Sequence, residues 1–113
     1  MSQSSYDETL TVPRTLLGLI QLQAGSVVSR TLVKKAAGTL SLFAFDEGEG
    51  LSEHSTPHDA LVQVLEGTAT ISVGGVAHLV EAGEVLLLPA NIPHALQAPV
   101  PFKMLLTMIR EPE

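Results

Sequence analysis

The fold class this chain predicts is all-β, an antiparallel sandwich or barrel, and three observations carry the prediction. Runs of apolar, β-branched and aromatic residues recur about every 8 to 12 residues, the interval of an antiparallel sandwich or barrel. Nine glycines and seven prolines are spread between those runs, and both residues interrupt helices and serve tight reversals. Only 16% of the 113 residues are charged, and a chain of this length builds one core with no room for a second domain.

Residues 1–14 are polar and lead past Pro13, which predicts a loosely ordered N-terminal arm before a single domain over 15–113. Leu16, Leu17, Leu19, Ile20 and Leu22 fit both the helical and the strand period, so this segment reads equally as a short helical turn or a strand. Ser26 to Val33 and Thr39 to Asp46 are rich in β-branched and aromatic residues, with Ala36, Ala37 and Gly38 between them as a hairpin turn. Asp46 to Glu53, DEGEGLSE, reads as a Gly-rich acidic loop with solvated carboxylates. Strands follow over Ala60 to Leu65, Thr68 to Val73 and Val76 to Val80, the last two joined by Gly74-Gly75, a two-residue turn of the kind that needs positive φ. Val85 to Leu88 stops at Pro89, the PANIP segment 89–93 forms a rigid loop, and His94 to Ala98 and Phe102 to Ile109 complete about nine or ten strands.

Twelve acidic residues against six basic ones give a formal charge of −6, a field that repels nucleic-acid backbones and anionic lipid surfaces. The pair Lys34-Lys35 reads as a solvated turn rather than an anion site. There is no cysteine, hence no disulfide, thiolate nucleophile or sulfur metal site. No basic-then-apolar leader pattern and no membrane-length apolar run are seen, so the expectation is a cytoplasmic protein. Four histidines are then the side chains that combine metal affinity with titration near neutral pH.

Two gapped patterns frame those histidines. Gly48, His54 and Gly67 form the first, and Gly83, Pro89 and His94 the second. In order and at this spacing they resemble the two motifs of the small single-domain cupins, over roughly Gly38 to Ile109. The resemblance implies an antiparallel double-stranded β-helix, or jelly-roll barrel, enclosing a cavity where three His and one Glu hold a divalent metal. It also implies a homodimer, here with Leu16 to Leu22 and parts of the outer sheet at the contact. Four positions depart from the motifs: Thr56 stands at the second His, Ala60 at the Glu, Asn91 at the second-motif Gly and Ala98 at its Asn.

His54 and His94 are therefore the retained metal ligands, and His58 is the candidate third. On a regular strand His54, Thr56, His58 and Ala60 share a face, but four extended residues span about 13 Å, so His58 reaches the same ion only if the chain bends at Ser55-Thr56-Pro57. Gln63 has a ligating amide oxygen but the wrong parity, and His78 lies outside both motifs and reads as an outward or interface residue.

Two functional readings follow. One is a small-molecule enzyme using a divalent Zn, Ni, Fe or Mn held by His54, His58 and His94, with no general base in sight because the motif's Glu is Ala60. The other is a metal-free barrel that binds a small ligand through His54, Thr56 and His94. In either case Thr56, Val62, Val64 and Leu86 would line the ligand pocket, the apolar three by strand alternation. An interaction module is the third possibility, since FKMLLTMI is apolar at nearly every position and so expects cover on both faces.

Overall fold

The computed structural model describes residues 5–111. Nine strands run in order: β1 Val27–Lys35, β2 Gly38–Phe45, β3 Gly50–His54, β4 Asp59–Glu66, β5 Thr68–Val73, β6 Val76–Glu81, β7 Val85–Leu88, β8 His94–Gln97 and β9 Phe102–Ile109. They form two antiparallel sheets, β1-β2-β9-β4-β7 and β3-β8-β5-β6. The sheets face each other as a jelly-roll that is not closed, with β6 and β7 as neighbouring edge strands.

Alternation decides which side chains go inside. In β4 Ala60, Val62 and Val64 are buried while Leu61 and Gln63 are exposed, as the period of two requires. The core takes these with Ile71, Val80, Leu88, Leu96 and Met104, and with Phe45 and Phe102, whose rings stack at 4.5 Å across the β2–β9 pair. β9 is apolar on its other face too because that face is covered. Leu105 packs into a second cluster around Ile20, Leu32, Leu42 and Ala44, on the outer side of the five-stranded sheet.

The cover is the N-terminal segment. Tyr6 bridges Val33, the Asp7 N–H donates to the Leu32 carbonyl, and the Lys34 N–H donates to the Ser5 carbonyl, so residues 5–7 extend the edge at β1. Asp7 accepts from Arg30 Nε at 2.8 Å, and Arg30 Nη1 donates to the Leu19 carbonyl at 2.7 Å. The ambiguous leucine run is a 3-10 turn over Leu16–Leu19, with Leu16 and Leu19 against the second cluster. Its Leu17 carbonyl accepts from Lys103 Nζ, a lysine only 7% exposed.

One predicted element differs. The acidic loop is shorter than its sequence suggests, because Gly50–His54 is a strand pairing with β8. Leu51 is its one large apolar residue, so an edge strand held by backbone bonds carries no alternation to read. Within the loop Asp46 is tied to the backbone, accepting from the Gly25 N–H at 2.7 Å and the Glu47 N–H at 2.9 Å. The predicted turn glycines behave as expected: Gly74 and Gly75 have φ of 58° and 83°, and Gly67 has φ of 76° where its chain passes so close to Pro101 that an added Cβ would lie 2.2 Å from that carbonyl oxygen.

Candidate functional site

The β3–β8 pair brings the two motif histidines together. Leu51 lies opposite Leu96, yet His54, not Glu53, lies opposite His94, so β3 holds one extra residue between these pairings. This bulge resets the parity of the strand: a regular ladder would carry Glu53 to the place His54 occupies. The imidazoles stand edge to face with centroids 4.4 Å apart.

Each ring is oriented by a backbone carbonyl two residues back. His54 Nδ1 donates to Ser52 O at 2.9 Å, and His94 Nδ1 donates to Ile92 O at 3.4 Å. A carbonyl only accepts, so in each bond Nδ1 carries the proton, and in the neutral tautomer Nε2 is left with its lone pair. The two rings differ in environment. His54 is exposed, whereas His94 is 7% exposed and its pKa is pushed below the ordinary imidazole value, first by burial and then by the neighbouring His54.

The ladder position opposite His94 is apolar. Val73 is the cross-strand partner of His94, and Ala60, 8% exposed, sits between Leu88 and Met108 at the position where the motif expects Glu. Two loops form the rim, residues 55–58 between β3 and β4 and residues 89–93 between β7 and β8. Asn91 has φ of 65°, the one non-glycine in the left-handed region among the described residues, at the position of the motif's Gly. Asparagine tolerates that region better than other residues with a Cβ.

The other expected residues are distributed as follows. His58 lies beyond a break in the strand, where Thr56 Oγ1 donates to the His58 carbonyl at 3.1 Å in a local turn. Among the described residues no group of three or more His, Cys, Asp or Glu side chains is placed to hold a metal ion, so His58 does not complete a triad with His54 and His94. Val62 and Val64 point inward and are wholly buried in the packed core. Leu86 packs on the core and also lines a groove of about 190 Å³ between β6 and β7, beside His78, Leu79 and Glu84. Gln63 faces outward.

One side chain at the rim, that of Asp59, lay outside the sequence reading. Asp59 Oδ1 accepts the Ala90 N–H at 2.8 Å, and the Thr56 carbonyl accepts the Asn91 N–H at 2.7 Å. The departure of Asn91 from the motif was the signal that this loop has its own requirements.

A jelly-roll with paired imidazoles at one mouth defines a cupin-type barrel. The comparisons agree: the family model described as Cupin domain matches residues 41–109, and the chain belongs to that family. A conserved protein of unknown function from Streptococcus pyogenes is 32% identical, with 90% of each chain covered and a TM-score of 0.86. A cupin 2 conserved barrel domain protein from Leptotrichia buccalis is 41% identical over 84% of this chain and 46% of its own, with a TM-score of 0.82. A cupin superfamily protein from Desulfitobacterium hafniense is 31% identical over 88% of this chain and 92% of its own, with a TM-score of 0.84. No curated protein matches. No helix among the described residues is long and apolar enough to cross a membrane.

Proposed function

We propose that this cupin binds a small, weakly polar molecule at the barrel mouth, with the Nε2 atoms of His54 and His94 accepting hydrogen bonds from it. The observation that carries the reading is the orientation of the two rings, each spending Nδ1–H on a carbonyl and keeping Nε2 for a ligand. Val73, the cross-strand partner of His94, would cover an apolar part of the molecule, and a few convergent polar atoms beside apolar surface are the usual form of a small-molecule site. Thr56 sits at the rim as a further contact, although its hydroxyl proton is already given to His58.

A firmly held resident metal fits this donor set poorly. Two imidazoles stand where a stable site has three or more protein donors, and the Glu position is Ala60. A second reading keeps a Zn, Ni, Fe or Mn ion that shares its coordination with a chelating ligand, and it is favoured by the same free Nε2 atoms, since metal-bound histidines are oriented in this way. Elemental analysis of protein purified without an affinity tag separates the two. Substoichiometric metal, unchanged in His94→Ala, is the expected result; stoichiometric metal lost in His94→Ala replaces the first reading with the second. Binding itself is tested by NMR titration with small alcohols, amides and carboxylic acids, with shifts at residues 51–54 and 92–96 expected and their absence in every class counting against the site.

The proposed assembly is a homodimer. Leu17, Leu22, Leu61, Val85 and Leu87 are exposed on the outer side, and a second copy would cover them. Light scattering at micromolar concentration should give twice the monomer mass.

A further inference from the structure

We propose that Asp59 is a positioning residue for the imidazole pair: by holding the Ala90 N–H it fixes the 89–93 loop, and through that loop the carbonyl that orients His94. The proposal rests on the reading of His54 and His94 as the site, and concerns how the site is kept in shape.

The 89–93 loop is tied down at three of its five residues. Asp59 Oδ1 accepts the Ala90 N–H at 2.8 Å, the Thr56 carbonyl accepts the Asn91 N–H at 2.7 Å, and the Pro93 carbonyl accepts the Gly74 N–H at 2.8 Å. The first two ties reach the segment that follows His54 in the chain, so the loop before one histidine is bonded to the loop after the other. Between the ties at Asn91 and Pro93 stands Ile92, whose carbonyl accepts from His94 Nδ1. Moving Ala90 and Asn91 therefore moves the acceptor that sets the His94 ring.

Asp59 suits this task because its backbone is itself fixed, in register with Ile109 of β9 at the first position of β4. Its carboxylate spans from the five-stranded sheet to the loop that leads into the four-stranded one. Of the three ties this is the one made by a side chain, and so the one a substitution removes cleanly. A backbone N–H left without its acceptor seeks water, which opens the loop.

The test follows ligand-free protein by two readouts. Amide hydrogen exchange at Ala90 and Asn91 reports the ties, and acylation of imidazoles by diethyl pyrocarbonate, located by mass spectrometry, reports access to His94. His78, exposed and distant in the chain, serves as the internal control. Asp59→Ala should speed exchange at both amides and acylation of His94 by about tenfold, as loss of one charge-assisted hydrogen bond allows. His78 should keep its rate, and Asp59→Asn, which retains an acceptor oxygen without the charge, should fall between the parent chain and Asp59→Ala in both readouts. Faster amide exchange with unchanged His94 acylation overturns the proposal, and so does unchanged exchange. If Asp59→Ala no longer melts cooperatively, Asp59→Ser is read in its place by the same criteria. Because no ligand is used, a negative result removes the positioning role and leaves the binding site standing.

Discussion

The two motif segments, 48–67 and 83–98, are built alike and have diverged differently. In the first the turn residues Gly48 and Gly67 are kept while two of the expected ligand positions have become Thr56 and Ala60. In the second the ligand His94 is kept while a turn residue has become Asn91. The difference teaches where a side chain is tolerated. Gly67 has φ of 76° and a carbonyl oxygen 2.2 Å from where a Cβ would stand, whereas Asn91, at φ of 65°, is exposed on the rim. Both are left-handed, but one is also crowded by backbone. Residues at the ligand positions differ from the motif while the fold is kept, and of the kept turn residues it is Gly67 that backbone crowding reserves for glycine.

The sharpest way to break this comparison is to place alanine at both turns. Gly67→Ala should lower stability by about 3 kcal/mol, since left-handed strain is joined by a forced backbone shift. Asn91→Ala should cost about 1 kcal/mol from strain alone, and Asn91→Gly should be neutral within about 0.5 kcal/mol. Urea midpoints at constant m-value measure all three; equal losses at 67 and 91 would erase the distinction.

The two imidazoles, one from each segment, allow a second comparison. Folding lowers the His94 pKa from the ordinary 6.5, so below that value the unfolded chain binds more protons than the folded one. Stability contributed by neutral His94 is therefore present at pH above the ordinary value and lost as pH falls through it. His94→Gln should flatten the rise of stability that accompanies increasing pH below the ordinary imidazole value, and His54→Gln, which removes the repulsion felt by His94, should flatten it less.

The smallest effect is expected at the arm. Thr9 and Arg30 hold the Asp7 carboxyl at a pKa of about 2, down from 3.8. The ties it makes should persist well below pH 3.8 and be lost as pH falls through about 2. Amide shifts of Asp7 and Lys34 across an acid titration would follow this, with an early midpoint arguing against the Arg30 contact.

Where strands alternate or are flanked by glycine and proline, they were legible: β5, β7 and β9 have the predicted bounds, and the Gly74-Gly75 turn is where it was expected. The pair His54 and His94 was singled out by the resemblance to the two cupin motifs, and the β3–β8 ladder brings the two rings together. β3 was not legible, because an edge strand with one large apolar residue has no periodic signature, and its bulge leaves no mark in the sequence. For His58 the sequence set a condition, a bend at Ser55-Thr56-Pro57; the chain does leave the ladder after His54, yet among the described residues no three His, Cys, Asp or Glu side chains gather to hold a metal ion. The second cluster was hidden because a covering segment of 3-10 turns shows neither period cleanly, although the apolar outer face of β9 had announced that something covers it.

The extra residue in β3 gives Gly50 an influence at the far end of its own strand. Gly50 packs so tightly on β8 that a Cβ there would lie 2.3 Å from the Leu96 carbonyl oxygen. Sliding β3 by one position would drive the side chain of Glu49 or Leu51 into that oxygen, so the alternative reading frame is closed. Gly50 thereby pins the start of β3 opposite Gln97, and from that fixed start the extra residue carries His54 to the place opposite His94. A hydrogen atom where any other residue has a carbon thus sets where the count toward the histidines begins.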